Sequence, residues 1–427
     1  MSLVWPLRSL SQMADIRISN VDKKTQVGEK PVRLCNYMDV YENGYITAKL
    51  EFMPASASAV EIERFRLYAG DVVITKDSET PDDIGVPAVV SEEIPDLVCG
   101  YHLALIRPHT SQLDSIYLAK QLSSPSIARF FGQQATGSTR YGLPISAIEL
   151  VKIPTPSKPE QTKIADVLSA VDRAIEQTEV LLAKKERIKL AMMQDLLTRG
   201  INPKGAVRTF QNDTFIDSQL GKIPQDWWVA TVGQLFEQRA ERGKPGLPVM
   251  SVVMNYGLVE RASVERRVES ALPAERHALV LEGDIAYNMM RMWQGVLGRA
   301  SFDCLVSPAY IVLRPKSSIN SRFAEWLFRD RRSILKFRQA SRGVVDDRLR
   351  LYPQDLFAIK LAIPKSLNEQ LAISNKLDVL RLQIMQESAA LRQYQRLRAG
   401  VMHDLLTGAR RVTQLLEPES QSARVYA

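Results

Sequence analysis

Residues 157–198 read SKPEQTKIADVLSAVDRAIEQTEVLLAKKERIKLAMMQDLLT, and residues 366–407 read SLNEQLAISNKLDVLRLQIMQESAALRQYQRLRAGVMHDLLT. The two stretches align without a gap, so that Glu160-Gln161 falls on Glu369-Gln370 and both stretches end in Leu-Leu-Thr. Because the spacing is repeated together with the composition, we infer that the length of this element matters to the protein.

Each copy predicts one long helix. Both open with the S-x-x-E pattern of a capping box, and a glycine follows the end of each, Gly200 and Gly408. Their apolar residues recur in alternating steps of four and three, the heptad spacing of a coiled coil. Two copies of a helix in one chain typically pair about a pseudo-twofold axis, so we predict an antiparallel pair. Packing of each helix on its own domain, or on another chain, is the alternative.

The chain outside these helices also repeats, which predicts two related globular domains. Gly70-Asp71 and Gly283-Asp284 each precede a short β-like run, and helical stretches follow at 115–122 and 321–339. The loops between matching segments differ in length between the halves. A constant framework with variable loops is what two copies of a binding module with different targets would have.

We therefore predict an α+β fold, in which two pseudo-repeated globular α/β domains are separated by two long antiparallel helices that form a coiled-coil spacer. The predicted division is a first domain at 1–155, a first long helix at 156–200, a linker at 201–220, a second domain at 221–364, a second long helix at 365–410 and a flexible tail at 411–427.

The composition is that of an ordinary globular protein with a basic surplus. Of 427 residues, 45% are hydrophobic, and 56 Lys and Arg against 48 Asp and Glu give a net charge of +8. This surplus favours a polyanionic partner. The three cysteines are scattered and odd in number, which favours a reducing, cytoplasmic location. The sequence shows neither a signal peptide nor an apolar run of about 18 residues, so we expect no membrane span.

The sequence contains no motif that would make the protein an enzyme. It lacks the G-x-x-x-x-G-K-[ST] phosphate-binding loop and any glycine-rich turn typical of a dinucleotide or S-adenosylmethionine site. The acidic pairs at 82–83 and 346–347 fit solvated loops better than a metal nuclease. We expect neither a metal nor a cofactor on this chain. Four histidines have neither metal-ligand nor triad spacing and are interpreted as structural or surface residues: His102, His109, His277 and His403.

Polar loops at matching places in both halves are candidate DNA contacts. The loop at 136–142 corresponds to residues 341–348 of the second half, and arginines in such loops can bind guanine bidentately. A second set follows each Gly-Asp turn and strand. The arginine-rich stretch 321–350 is either a phosphate-contacting surface or a solvated helix face. The predicted DNA-binding residues are Thr75, Lys76, Ser138, Thr139, Arg140, Tyr141, Asn288, Arg291, Trp293, Arg342 and Arg348.

Together these features resemble the specificity (S) subunits of type I restriction–modification enzymes. The resemblance covers nearly the whole chain and rests on the segment Gly221-Lys222-Ile223-Pro224-Gln225-Asp226-Trp227, on the two Gly-Asp turns, and on the Ile-Pro and Glu-Gln pairs that lead into both helices. The departures are small. One more residue separates Pro364 from Glu369 than Pro156 from Glu160, and the second domain lacks the Gly-Ser-Thr form of the loop.

The resemblance implies two target recognition domains that each read one half of a split double-stranded DNA site. It also implies that the helices dock two modification (methyltransferase) subunits and that restriction (translocase–nuclease) subunits join the complex. S-adenosylmethionine, ATP, magnesium and the catalytic residues would belong to those partners. The expected partner-binding residues are Glu160, Gln161, Leu196, Leu197, Glu369, Gln370, Leu405 and Leu406.

Two other functions stay open at this point. The missing cofactor motifs argue against an autonomous DNA-modifying enzyme. The non-identical globular halves and the basic surplus argue against a structural coiled-coil protein that does not bind DNA. Methylation by the isolated chain would indicate the first, and a lack of salt-dependent DNA binding would indicate the second.

Overall fold

The computed structural model describes residues 5–263, 272–345 and 348–416. The chain divides into two compact units, of which the first comprises residues 1–179 and 390–427 and the second comprises residues 180–389. Both units combine short strands with helices, which confirms the predicted α+β class. Of the flexible tail predicted at 411–427, residues 417–427 lie outside the described residues, whereas Val412 is buried in a core of the first unit.

The first unit is built around an antiparallel sheet of order β2-β10-β6-β8, to which β4 adds in parallel at the β8 edge. A smaller sheet has the order β5-β3-β9, and β1 pairs with β12. The strands are β1 (Leu7–Ser9), β2 (Ala14–Ile18), β3 (Lys30–Cys35), β4 (Tyr45–Ile46), β5 (Met53–Ala57), β6 (Val72–Thr75), β7 (Asp77–Ser78), β8 (Pro87–Val90), β9 (Leu97–Cys99), β10 (Leu103–Pro108), β11 (Tyr141–Gly142) and β12 (Lys152–Pro154). The helices are α1 (Tyr37–Tyr41), α2 (Ala59–Phe65), α3 (Ser115–Leu122), α4 (Pro125–Gln134), α5 (Ile145–Leu150) and the first part of α6 (Lys158–Leu196).

The second unit repeats this plan with the sheet order β16-β23-β20-β21 and the pair β15-β24. Its strands are β13 (Phe215–Ser218), β14 (Gly221–Pro224), β15 (Trp227–Thr231), β16 (Phe236–Arg239), β17 (Met250–Val253), β18 (Gly257–Glu260), β19 (Ala278–Val280), β20 (Ile285–Asn288), β21 (Leu297–Arg299), β22 (Cys304–Val306), β23 (Tyr310–Pro315) and β24 (Lys360–Pro364). Its helices are α7 (Val232–Leu235), α8 (Ser321–Arg329), α9 (Arg331–Ala340), α10 (Pro353–Ala358) and the first part of α11 (Leu367–Thr407).

The central strands are buried on both faces, which explains their continuous apolar runs. In β6, Val72 and Ile74 pack into a core with α3, α6 and the end of α11, whereas Val73 between them packs into a separate core on the other face. In β20, Ile285 and Ala286 divide between two cores in the same way. This period-two alternation is the geometry of a strand.

The long helices pair antiparallel inside each unit, as predicted. In the first unit, Arg411, which follows α11, donates to Glu160 at 2.8 and 3.0 Å, and Arg398 donates to Asp172 at 2.5 Å. In these pairs the residue number increases along α6 while it decreases along α11, so the two helices run in opposite directions. In the second unit Lys185 lies 2.9 Å from Glu387, which continues the same register there.

Three local predictions are corrected by the structure. The helical stretch predicted at 321–339 is two helices, because Asp330 has an extended backbone and its carboxylate caps the second helix through Arg332 N–H. The carboxylates of Glu160 and Glu369, predicted to close capping boxes, bind Arg411 and Arg208, although Glu369 N–H donates to Ser366 Oγ at 3.4 Å as the second box requires. Arg208, in the predicted linker at 201–220, is buried and binds Glu369, so this connector is a packed part of the second unit.

Within the described ranges, no helix combines the length and the apolar character that a membrane crossing needs.

Candidate nucleic-acid interface

The loop at 136–142 is a closed hairpin on the first unit. Thr136 and Gly142 exchange backbone hydrogen bonds of 3.0 and 2.8 Å. Gly137 has a φ of +139°, and a Cβ there would lie 2.0 Å from the carbonyl oxygen of Arg140, so only glycine fits this position without distortion. Residues 136–140 are exposed. The hairpin therefore presents Arg140 to solvent on a constrained turn.

The second unit carries an equivalent hairpin of greater length. Arg342 and Arg350 exchange two backbone hydrogen bonds of 2.9 Å. Gly343 has a φ of +150°, and a Cβ there would lie 2.7 Å from the carbonyl oxygen of Arg348. Arg348 is exposed and takes the place that Arg140 has in the first unit. The predicted correspondence of the two loops is thus present in the backbone geometry, although their sequences differ.

Both hairpins lie at the end of the strand that follows the Gly-Asp turn. Leu143 N–H donates to the carbonyl oxygen of Lys76 at 2.9 Å, and Leu351 N–H donates to that of Met289 at 2.9 Å. In the first unit β11 also pairs with β7, with Gly142 opposite Asp77. The structure therefore brings together the two groups of residues that the sequence singled out separately.

Charged and aromatic side chains cluster beside the first hairpin. The carboxylate of Asp77 accepts from Lys76 and lies 3.0 Å from Nδ1 of His102. Burial raises the pKa of Asp77, but the hydrogen bonds from Lys76 and His102 outweigh it and hold that pKa below its usual value. The ring of Tyr101 packs on the imidazole of His102, with the centroids 3.5 Å apart.

The predicted DNA-binding residues differ in accessibility, and DNA contact stays a prediction for all of them. Thr75 is buried, and its hydroxyl donates to Asp83 O at 2.8 Å and accepts from Val86 N–H at 3.0 Å, so it is used inside the fold. Exposed are Ser138, Thr139, Arg140, Arg291, Arg342 and Arg348, and half-buried are Lys76, Tyr141, Asn288 and Trp293.

Some residues that sequence reasoning set aside or passed over belong to this surface. His102 was interpreted as a structural or surface residue without a role in the site, yet it lies beside the hairpin with Tyr101 and Asp77. In the second unit, Arg338 lies over the ring of Trp293 at 5.5 Å. The signal that could have identified His102 is its position directly before β10, at the sheet end where β6 finishes.

The glutamines of the repeated Glu-Gln pairs have an internal role. The amide of Gln161 donates to Gln112 O and Pro156 O, at 2.9 and 3.0 Å, and accepts from Asp114 N–H at 2.9 Å. Gln370 makes the same three contacts with Ser318 O, Pro364 O and Asn320 N–H. Asp114 and Asn320 are the N-caps of α3 and α8. Gln161 therefore fixes the start of α6 against the start of α3, and Gln370 fixes the start of α11 against the start of α8.

The other predicted partner-binding residues are also packed inside their units. Glu160, Leu196, Leu197, Leu405 and Leu406 are buried, and the side chain of Glu369 is 9% exposed. Their role toward partner subunits stays a prediction, which their burial does not support.

Apolar residues that are exposed on the long helices were missed. On α11 in the second unit, Val379, Leu382 and Met385 are 56–57% exposed and follow each other in steps of three. On the part of α11 in the first unit, Tyr394 and Leu397 are 38% and 50% exposed. These residues lie off the heptad seam, and a second apolar stripe in the sequence is the signal that could have revealed them.

Metal-ligand geometry is absent from the described part of the chain, where no group of three or more His, Cys, Asp and Glu side chains is arranged to hold an ion. Asp83 in the acidic pair at 82–83 accepts from Tyr41 Oη at 3.0 Å and from Thr80 Oγ1 at 2.9 Å. The pair at 346–347 lies outside the described residues.

Comparison with known proteins shows what this repeated α+β chain is similar to. Residues 5–185 match the Type I restriction modification DNA specificity domain. In Methanocaldococcus jannaschii, the putative type I restriction enzyme MjaX specificity subunit is 23% identical over 239 residues, which cover 54% of this chain and 52% of that protein. The type I restriction enzyme MjaVIII specificity subunit is 24% identical over 322 residues, which cover 71% and 72%. The chain thus spans about half the length of the first relative and 72% of the length of the second.

Solved structures show the same fold. The S subunit of the type I restriction–modification system from M. genitalium has a TM-score of 0.60 at 15% identity, with 95% of this chain and 96% of that chain covered. A chain from a study of complex assembly and conformational transition of the type I R-M system has a TM-score of 0.51 at 14% identity, with 95% and 99% covered. The resemblance to specificity subunits is confirmed over residues 5–185, which match this family's domain.

Proposed function

We propose that this protein is the sequence-specific DNA-binding subunit of a type I restriction–modification complex, in which each unit reads one half of a bipartite double-stranded site. The observation that carries the proposal is the repeated hairpin, because two units of different sequence hold an exposed arginine, Arg140 or Arg348, on the same turn. A guanidinium so placed can bind guanine bidentately. The net charge of +8 favours a DNA partner. Different side chains around the two hairpins would produce two different half-sites.

The long helices support a second part of the proposal, a scaffold for partner subunits. The exposed stripe of Val379, Leu382 and Met385, and the pair Tyr394 and Leu397, offer apolar surface to a partner helix. We assign this surface to two modification (methyltransferase) subunits, through which restriction (translocase–nuclease) subunits join. S-adenosylmethionine, ATP, magnesium and the catalytic groups would lie in those partners. The chain itself would be non-catalytic and would act in the cytoplasm, where its DNA lies.

Mapping of methylated adenines across the genome, in cells with and without this gene, tests the proposal. We expect one methylated motif, made of two short sequences with a gap of fixed length, to disappear when the gene is deleted. Purified chain without modification subunits should transfer no methyl group. An unchanged set of methylated motifs, or methylation by the pure chain, would contradict the proposal.

A further inference from the structure

A histidine–aspartate pair beside the first hairpin leaves one imidazole nitrogen without a partner among the described residues. Nδ1 of His102 lies 3.0 Å from the Asp77 carboxylate, which also accepts from Lys76. An ionised carboxylate only accepts hydrogen bonds, so Nδ1 carries the proton and Nε2 has a free lone pair. Nε2 makes no hydrogen bond with the described residues, and the His102 side chain is 12% exposed. His102 is therefore an oriented hydrogen-bond acceptor.

Burial, together with two nearby cations, favours the neutral form of His102. Burial lowers the pKa of His102, the nearby charges of Arg140 and Lys23 lower it further, and the bond to Asp77 opposes them without cancelling their effect. Lys76 is the other cation of the cluster, and it is paired with Asp77. A neutral imidazole is a weak phosphate ligand, whereas Arg140 and Lys23 beside it carry the charge that phosphates require.

We propose that Nε2 of His102 accepts a hydrogen bond from the exocyclic amine of an adenine or a cytosine in the major groove, and so specifies one base pair of the half-site read by the first unit. Adenine N6 and cytosine N4 are the base donors in that groove, whereas guanine and thymine present acceptors. Asp77 is the positioning residue, since it fixes the tautomer. This inference rests on the proposed DNA-binding function.

The second unit reads its half-site with other chemistry. Met289 takes the backbone position of Lys76, because its carbonyl oxygen accepts from Leu351 N–H as that of Lys76 accepts from Leu143 N–H. Met290, the next residue, then stands where the first unit has Asp77. Without a carboxylate at this position, no histidine tautomer can be fixed in the same way, so the acceptor is specific to the first half-site.

The test is the methylated motif produced by the full complex that contains His102→Ala. One position of one half-site, adenine or cytosine in the wild-type motif, should accept all four bases, while the other positions and the gap stay unchanged. In competition binding, the preference for the cognate over the mismatched base pair should fall about tenfold. Asp77→Asn should alter the same position, because an amide in place of the carboxylate permits the wrong tautomer. His102→Gln restores a carbonyl acceptor and should keep the preference for an amine-bearing base.

His109→Ala is the matched control. His109 also faces an aspartate, with Nε2 3.4 Å from Asp15, but it lies at the opposite end of β10, about 20 Å away for a six-residue strand. The complex that contains His109→Ala should produce the same methylated motif as the wild-type complex. The inference is overturned if His102→Ala leaves the motif unchanged, or if it weakens binding to all sequences equally, as a phosphate contact or a folding defect would. A wild-type complex that gives no bipartite motif would instead refute the proposed function itself.

Discussion

The buried aspartate of each Gly-Asp turn binds an arginine, and the arginine comes from a different strand in each unit. Arg107 on β10 donates to Asp71 at 2.7 and 2.8 Å, whereas Arg239 on β16 donates to Asp284 at 2.5 Å. The recurring turn could be predicted from the sequence because it is a local pattern. The choice of arginine could not, because it depends on the register between strands far apart in the chain. The same holds for Gln161, whose partners Gln112 and Asp114 are 49 and 47 residues away.

Removal of Arg208 should destabilise the second unit strongly. Arg208 and Glu369 form a pair with side-chain exposures of 7% and 9%. Arg208→Met leaves the carboxylate buried without its cation, so we expect the free energy of unfolding to fall by about 3–5 kcal/mol. Arg314→Met is the control, because it breaks a pair with Glu237 in which both side chains are more than half exposed, and it should cost at most about 1 kcal/mol. Urea denaturation measures both losses, and losses of similar size would show that burial of the pair is unimportant.

At the scale of elements, periodic patterns were predicted well and breaks in them were not. The heptad seam predicted the long helices because the same apolar spacing recurs along their whole length. The break between α8 and α9 depends on one residue, Asp330. An aspartate occurs both at helix caps and on charged helix faces, so the sequence alone did not indicate the break. Thr75 was predicted to contact DNA from the end of β6, yet both faces of that strand are covered, so its side chain is buried.

The hairpin on the first unit should depend on a single glycine. Gly137→Ala places a Cβ against the carbonyl oxygen of Arg140 and strains a φ of +139°, so the turn must shift and move Arg140 with it. We expect about tenfold weaker binding to the cognate duplex, with the melting temperature of the protein nearly unchanged. Gly44→Ala is the control, since a Cβ there meets no atom within 4 Å and its φ is ordinary. Wild-type affinity in the Gly137→Ala variant would mean that this turn does not position a DNA contact.

For the molecule as a whole, the repeat could be predicted from the sequence, but the segments that make up each compact unit could not. The predicted domains end before the long helices, whereas each compact unit includes the start of one long helix and the end of the other. The reason is that Ile164, Leu168 and Leu405 complete an apolar core of the first unit. No local pattern shows which part of a long amphipathic helix will close which core.

From the proposed function we expect that exchange of the first globular domain changes half of the methylated motif. Replacing residues 5–154 with the equivalent domain of another specificity subunit should give a new sequence in one half-site and leave the other half-site and the gap unchanged. The new domain must supply backbone partners for Gln161 and an apolar surface for Ile164 and Leu168. Methylome sequencing gives the result. A chimera that assembles with its partners and yet changes both half-sites would contradict independent reading by the two units.

The division of both helices between the units sets the order in which the chain can fold as it leaves the ribosome. The second unit is continuous and is complete once residue 389 has emerged, whereas the first unit needs its residues from 390 onward. Met402, Leu405 and Leu406 belong to the core of the first unit. The part of the protein that is synthesised first is therefore finished last, and a premature stop near residue 390 would damage the amino-terminal unit while sparing the one that was made after it.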